Sequence, residues 1–160
     1  MLKVHLVHVG TVKEAYLTDA IAEYEKRLSA YCRVDHIPIK EEKLPDKPSP
    51  AEISSAIVKE GERILAALPA RSYLIALCVE GKQMPSESFS DLLAKLPDEG
   101  FSEVTFIIGG SDGLSDAVKK VCHKRLSVSE MTFPHQLMRV ILLEQIYRAF
   151  NIAAGGKYHK

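Results

Sequence analysis

The sequence predicts an α/β fold, with a mostly parallel sheet flanked by helices in one domain spanning residues 1–160. Three observations lead there. Strand-like and helix-like segments alternate from the N-terminus onward. Two runs, SYLIALCV (72–79) and VTFIIGG (104–110), are almost uniformly apolar, as strands covered on both faces tend to be. Three strand ends carry unusual turns, LCVEGK, IIGGSDG and VSEMTFPHQ, and carboxyl ends of strands form the ligand crevice of an open parallel sheet.

Each element has its own signature. LKVHLVHV (2–9) is a buried or half-buried strand that exits into Gly10. Thr11 and Glu14 form a capping-box pattern, and the helix after them, to about Ala30, places Tyr16, Ala20, Tyr24 and Leu28 at helical spacing with Ile21 beside them. CRVDHIPI (32–39) contains Pro38, which has no amide for a ladder and so predicts an edge strand. KEEKLPDKPSP (40–50) reads as an exposed loop. Ser49, Pro50 and Glu52 are cap, first helical residue and N3 acid of a helix to Leu68, with Ile53, Ile57, Ile64 and Leu68 inward and Gly61 a mild defect. Ser86 caps a short helix to Leu96, another runs from Ser115 to about His123, and RLSVS (125–129) is a short strand. The last helix follows MTFPHQ with an apolar surface wider than one stripe: Leu137, Met138, Val140, Ile141, Leu142, Leu143, Ile146 and Tyr147. Self-association is the simplest way to cover it. Glu144 and Arg148, four apart, are placed to pair.

Composition narrows the function. No stretch approaches the ~20 apolar residues of a membrane span, and no secretory leader is visible, which predicts a protein of the cytoplasm. Three scattered cysteines (Cys32, Cys78, Cys122) suit neither a disulfide scaffold nor a metal knuckle, and the histidines lack ligand spacing, so no metal is expected. Net charge is zero, but residues 117–160 carry 8 Lys+Arg against 2 acids, whereas residues 1–116 carry 13 against 19. That dipole either steers a polyanion to one face or reflects accidental segregation.

The turns suggest a site without a familiar motif. Gly109, Gly110 and Gly113 fit neither a dinucleotide fingerprint nor a phosphate-binding loop. They either let backbone approach a ligand or only tighten the strand exit. Thr132 or Phe133 caps the final helix, with Pro134 in its first turn and Ser129 and Thr132 forming a polar lip. His135 is expected to have a depressed pKa from the helix field, and either hydrogen-bonds locally or titrates in the site. Arg139 is either an interface salt-bridge residue or a catalytic side chain reaching into a partner's cleft. Lys157, Tyr158, His159 and Lys160 are either a fraying end or an aromatic and cationic contact for RNA. No GxSxG nucleophile elbow exists, so an enzyme built this way draws its reactivity from an activated cosubstrate.

LCVEGK at 77–82, FIIGGSDG at 106–113, SEMTFPHQLMRVILLEQIYRA at 129–149 and the terminal YHK, with VHLVHVG and AIAEYEKRL near the start, together resemble the RlmH family of the SPOUT superfamily. These are bacterial ribosomal RNA large subunit methyltransferases that methylate N3 of a pseudouridine in 23S rRNA. The resemblance implies a SPOUT-type α/β fold with a C-terminal trefoil knot and a homodimer that binds S-adenosylmethionine without a metal. Carried over by position, the donor would lie against Leu77, Gly109 and Gly110, and along Val128, Ser129, Glu130, Met131, Thr132 and Phe133. The implied target lies in helix 69 of the assembled ribosome.

Transfer to N3 requires loss of the imide proton and stabilisation of the anion. Tyr158 or His159 is expected close to the target base, with Arg139 balancing charge and His135 as the second candidate base. A non-catalytic ribosome-binding or assembly factor is the alternative function.

Overall fold

The computed structural model describes residues 1–160. Strands and helices alternate throughout: β1 (Lys3–Val9), α1 (Ala15–Leu28), β2 (Arg33–Ile39), α2 (Pro50–Ala67), β3 (Tyr73–Lys82), α3 (Ser86–Lys95), β4 (Glu103–Ile108), α4 (Asp116–Val121), β5 (Lys124–Leu126) and α5 (His135–Ala153). The five strands form one sheet in the order β2-β1-β4-β3-β5, and every neighbouring pair is parallel. Parallel pairing obliges each connection to cross over the sheet, and here every crossover carries a helix.

The helices divide between the two faces. Leu28 of α1, Phe89 and Leu93 of α3, and Leu142, Leu143, Ile146 and Ala149 of α5 pack with Val4, Leu6, Ile75, Val104 and Phe106 of the sheet. On the opposite face Ile64 of α2 and Val118 of α4 meet Val7, Val9, Ala76 and Ile107. The alternation of Val4 and Leu6 with Val7 and Val9 between these clusters is the two-residue strand period at work. β2 lies at an edge, as Pro38 requires, and β4, buried at all but its first residue, lies at the centre.

Several local expectations are corrected. Thr11 does not cap α1: Glu14 holds the N-cap position without a side-chain hydrogen bond. The buried stripe of α1 runs through Leu17, Ile21, Tyr24 and Leu28, while Tyr16, in the first turn, is 71% exposed. Pro85, not Ser86, precedes α3 at its N-cap, and Ser86 instead donates to Gln145 Oε1 at 2.7 Å, tying α3 to α5. β3 continues to Lys82 through an irregularity in its pairing with β5, whereas β5 stops at Leu126. The capping box of α2 forms as expected, with Ser49 Oγ and the Glu52 carboxylate each accepting an amide hydrogen bond.

α5 buries more of itself within the chain than its girth suggests. It lies on the sheet between α1 and α3, and Leu142, Leu143, Ile146 and Ala149 are all 2% exposed or less. The apolar side chains left exposed nearby are Val128, Met131 and Leu137, around its N-terminal end.

Gly61 is a packing requirement rather than a defect. A methyl group there would collide with Ser115 Oγ and lie 3.0 Å from Ser115 Cβ, and that hydroxyl caps α4 by accepting from the Val118 amide. Gly61→Ala should therefore lower stability by about 1–2 kcal/mol in urea unfolding, although alanine in an unhindered helix would raise it by ~1 kcal/mol.

Candidate functional site

A cleft of about 870 Å³ opens at the carboxyl ends of β3, β4 and β5. Its walls are the three turns singled out in the sequence: Leu77 to Glu80, Ile108 to Leu114, and Leu126 to Ser129 continuing through Met131 to Gln136. Leu77, Gly109, Gly110, Val128, Ser129, Met131, Thr132, Phe133 and His135 all line it. Glu130, placed along the same wall by the resemblance, is exposed and is not part of the lining. Cys78, Val79, Asp112, Leu114, Lys119 and Met138 also line it and were not expected. The positions of Cys78 and Val79 next to Leu77 at a strand end are the signal that could have found them.

The glycines of the β4 turn serve the turn itself. A methyl group on Gly109 would lie 2.7 Å from the Gly113 carbonyl carbon and 2.8 Å from its oxygen. The turn folds back through the Gly113 amide, which donates to the Gly110 oxygen at 3.1 Å. The missing Gly110 side chain faces Val9 and Glu60. The missing side chains make room for protein, and the backbone of both residues stands at the cleft wall. The opposite wall is shaped by Ser127 Oγ, which donates to the Ser129 oxygen at 2.9 Å, and by Ser129 Oγ, which accepts from the Met131 amide at 3.0 Å.

Neither Thr132 nor Phe133 caps α5. Pro134 occupies the N-cap position with no side-chain hydrogen bond, and its carbonyl accepts the Met138 amide. His135 is thus the first helical residue, and its pKa is lowered, with burial the largest cause rather than the helix field.

Arg139 is 4% exposed and points inward, so it is not an exposed interface residue. Its Nη2 donates to the Gly10 carbonyl at 2.8 Å, it lies outside the cleft lining, and its Nε is buried without a partner. No carboxylate pairs with it.

Tyr158 and His159 are ordered on the far half of α5. The Tyr158 hydroxyl donates to Glu144 Oε1 at 3.0 Å, and its ring packs edge-on against Tyr147 at 4.9 Å. Burial, then the Glu144 carboxylate, raises its pKa to about 12. His159 bridges Arg148, at 3.0 Å, and Glu87, at 2.6 Å. The Glu144–Arg148 pair forms as expected, Nε to Oε1 at 2.9 Å. At ~1.5 Å rise per residue, His135 and Arg148 are separated by roughly 20 Å along α5, so one chain does not bring its own tail to its own cleft.

Comparison with known proteins fits this architecture. Residues 2–159 match the family described as "Predicted SPOUT methyltransferase". Over 159 residues, covering 99% of this chain and all of the relative, the sequence is 52% identical to the ribosomal RNA large subunit methyltransferase H of Streptococcus sanguinis. It is 53% identical, with the same coverage, to that of Streptococcus thermophilus. A probable methyltransferase of Bordetella pertussis shares the fold, with a TM-score of 0.58 at 15% identity over 93% of this chain and 96% of that one. So does a Legionella pneumophila putative methyltransferase solved with SAM bound, with a TM-score of 0.51 at 13% identity over 92% of this chain and 66% of that one. The chain belongs to the SPOUT methyltransferase family, among the large subunit methyltransferases H.

His8, behind the site, has a measurable signature. It is 5% exposed, and its Nδ1–H donates to the Gly10 carbonyl at 3.0 Å. Burial first, and the Arg139 charge second, lower its pKa from 6.5 to about 4. Between those values the unfolded chain binds the extra proton, so His8 contributes stability above the window that is lost as pH falls through it. The urea midpoint should drop between about pH 7 and pH 4.5, and His8→Gln should flatten that drop.

Proposed function

We propose that this protein transfers the methyl group of S-adenosylmethionine to N3 of a pseudouridine in helix 69 of 23S rRNA, acting as a cytoplasmic homodimer on the assembled ribosome. The whole of residues 1–160 serves as one methyltransferase domain. One observation carries the reading: the three turns that hold the family's motifs close around a single cleft.

The cleft suits the donor chemically. It has the volume for a nucleoside with an amino acid arm, and it mixes apolar side chains (Leu77, Ile108, Leu126, Met138) with backbone from the Gly109 and Ser129 turns. Such backbone reads the edge of an adenine, and the apolar walls cover its faces. Leu77, Gly109, Gly110 and the Val128–Phe133 wall are the residues that would hold it; Glu130 supports that wall from outside. When bound, the sulfonium supplies a methyl group on a good leaving group. The protein's own work is to orient the acceptor nitrogen, exclude water and take up the imide proton.

His135 supports that last step better than the tail does. It lines the cleft, and its lowered pKa keeps the imidazole neutral and able to accept a proton at neutral pH. The Tyr158 phenol, with its pKa raised to about 12, is a poor acceptor. Tyr158 and His159 instead contact the target nucleotide in the cleft of the second protomer. Exposed Val128, Met131 and Leu137 beside the cleft provide the apolar surface on which that protomer seats. Arg139 serves by anchoring the Gly10 turn, since its guanidinium is spent on that carbonyl.

The test uses ribosomes from cells lacking the gene, methyl-labelled donor and mass spectrometry of the RNA. One methyl should appear on a helix 69 pseudouridine, and no transfer to the large subunit would refute the reading. Deleting Tyr158 to Lys160 should leave donor binding by calorimetry intact and lower transfer by ~100-fold or more, because orientation of the acceptor is lost.

A further inference from the structure

β1 and β4 are neighbours, but the helices that follow them pack on opposite faces, α1 with α5 and α4 with α2. That makes the space beyond their carboxyl ends the switch point of the sheet, where ligands of parallel α/β folds settle. Gly10 closes β1 there with φ of +80°, and a methyl group on it would lie 3.6 Å from Glu41 Oε2 and 3.9 Å from His135 Nε2. The two polar tips therefore converge over Gly10 from different parts of the chain. The carbonyl beneath them is fixed by His8 and Arg139, at 3.0 and 2.8 Å.

Glu41 makes no hydrogen bond of its own, yet both residues beside it are tied to α2. Arg63 Nη1 donates to the Lys40 carbonyl at 3.0 Å, and Nη2 donates to Glu42 Oε2 at 2.6 Å. The Glu42 amide donates to Glu60 Oε2 at 2.9 Å, which also gives the buried Glu60 carboxylate its use. A proline-rich, exposed segment is thereby tied to α2 on both sides of Glu41, whose carboxylate approaches Gly10 from outside the cleft lining.

We infer that Glu41 is a positioning residue for His135, its clamped carboxylate facing the imidazole across Gly10 and orienting it to receive the imide proton of the target base. This rests on the methyltransferase reading above. The N3–H bond breaks toward the free ring nitrogen of His135, and its electron pair stays on nitrogen and forms the bond to the methyl carbon. The carbon–sulfur pair leaves with the sulfur, which becomes a neutral thioether. The imidazolium, stabilised beside Glu41, then releases its proton to water. Glu41 from the β2–α2 segment favours the protonated ring, and Arg139 of α5 opposes it. His8 of β1 is neutral at working pH, while Asp112 and Glu60 interact on the Gly110 side of the turn.

The experiment pairs single-turnover transfer to ribosomes, from about pH 5 to 9, with direct NMR titration of the His135 ring. In Glu41→Gln the His135 midpoint should fall by about half a unit or more. The acid limb of the rate should move with it, and the plateau should drop ~10-fold because the base is weaker and less oriented. Glu41→Asp should restore most of the midpoint, and Arg63→Met, which releases the clamp, should shift it in the same direction as Glu41→Gln but less. Donor affinity should be the same throughout the series. A Glu41→Gln variant with wild-type midpoint and plateau overturns the inference. Wild-type protein that transfers nothing refutes the methyltransferase reading instead, and the NMR midpoints still decide whether Glu41 and His135 are coupled.

Discussion

The all-parallel pairing of the sheet is the constraint on which everything else depends. It places the carboxyl ends of five strands along one edge, so turns far apart in sequence become walls of one cleft. It also demands a helix for each return and hence an apolar cluster on each face. At the β4 turn the cleft wall is backbone, because the turn is wound too tightly for a side chain at Gly109. A site of this kind tolerates wide variation in side chains elsewhere, since the features that hold a ligand are set by strand ends and turn geometry. The fold itself is shared with proteins of 13–15% identity.

Arg139 links the sheet to the chemistry. A buried guanidinium without a carboxylate partner is costly, and here it is met only by carbonyls at the end of β1. The charge that results lowers both neighbouring imidazoles, His8 and His135. A single buried cation thus fixes the Gly10 turn and adds to the burial that chiefly lowers the pKa of both rings. Neutral rings are what proton acceptance needs, and a nearby anion is what makes the protonated product bearable. In the proposed transfer those two duties fall to different elements, α5 and the β2–α2 segment, so the acceptor is not permanently paired.

Much of this was legible in the sequence because strands buried on both faces leave continuous apolar runs and their exits leave glycines. SYLIALCV, VTFIIGG and the Ser49 capping box were readable for that reason. The phase of α1 was not, because a plausible capping box at Thr11 outweighed the Leu17–Ile21–Tyr24–Leu28 stripe. Gly61 was misjudged, and the two readings of Gly109 stayed open, for a different reason. Their partners, Ser115 and the Gly113 backbone, are defined only by the tertiary packing of α2 on α4 and by the closure of the turn. The tail was the hardest part to place. A helix length decides that the Glu144 and Arg148 contacts of Tyr158 and His159 lie roughly 13 and 20 Å along α5 from His135, and no motif reports a distance.

Structure also resolves the charge dipole of the sequence. Of the eight cations beyond residue 116, Arg139 is buried, Lys119 is paired with Glu80, and Arg148 is paired with Glu144. Lys120, Lys124 and Arg125 remain free near β5, and Lys157 and Lys160 remain free at the tail. Contacts to so few phosphates release few counterions, so they supply weak general affinity for RNA and a shallow dependence on salt. The two groups of cations lie at separated places on one chain, because the tail docks on α3 and the far half of α5. A short flexible RNA gains little from such spacing, whereas a rigid, preformed surface meets both groups at once without an ordering cost. Sparse charge of this kind therefore suits an acceptor already fixed in shape better than a free, flexible RNA.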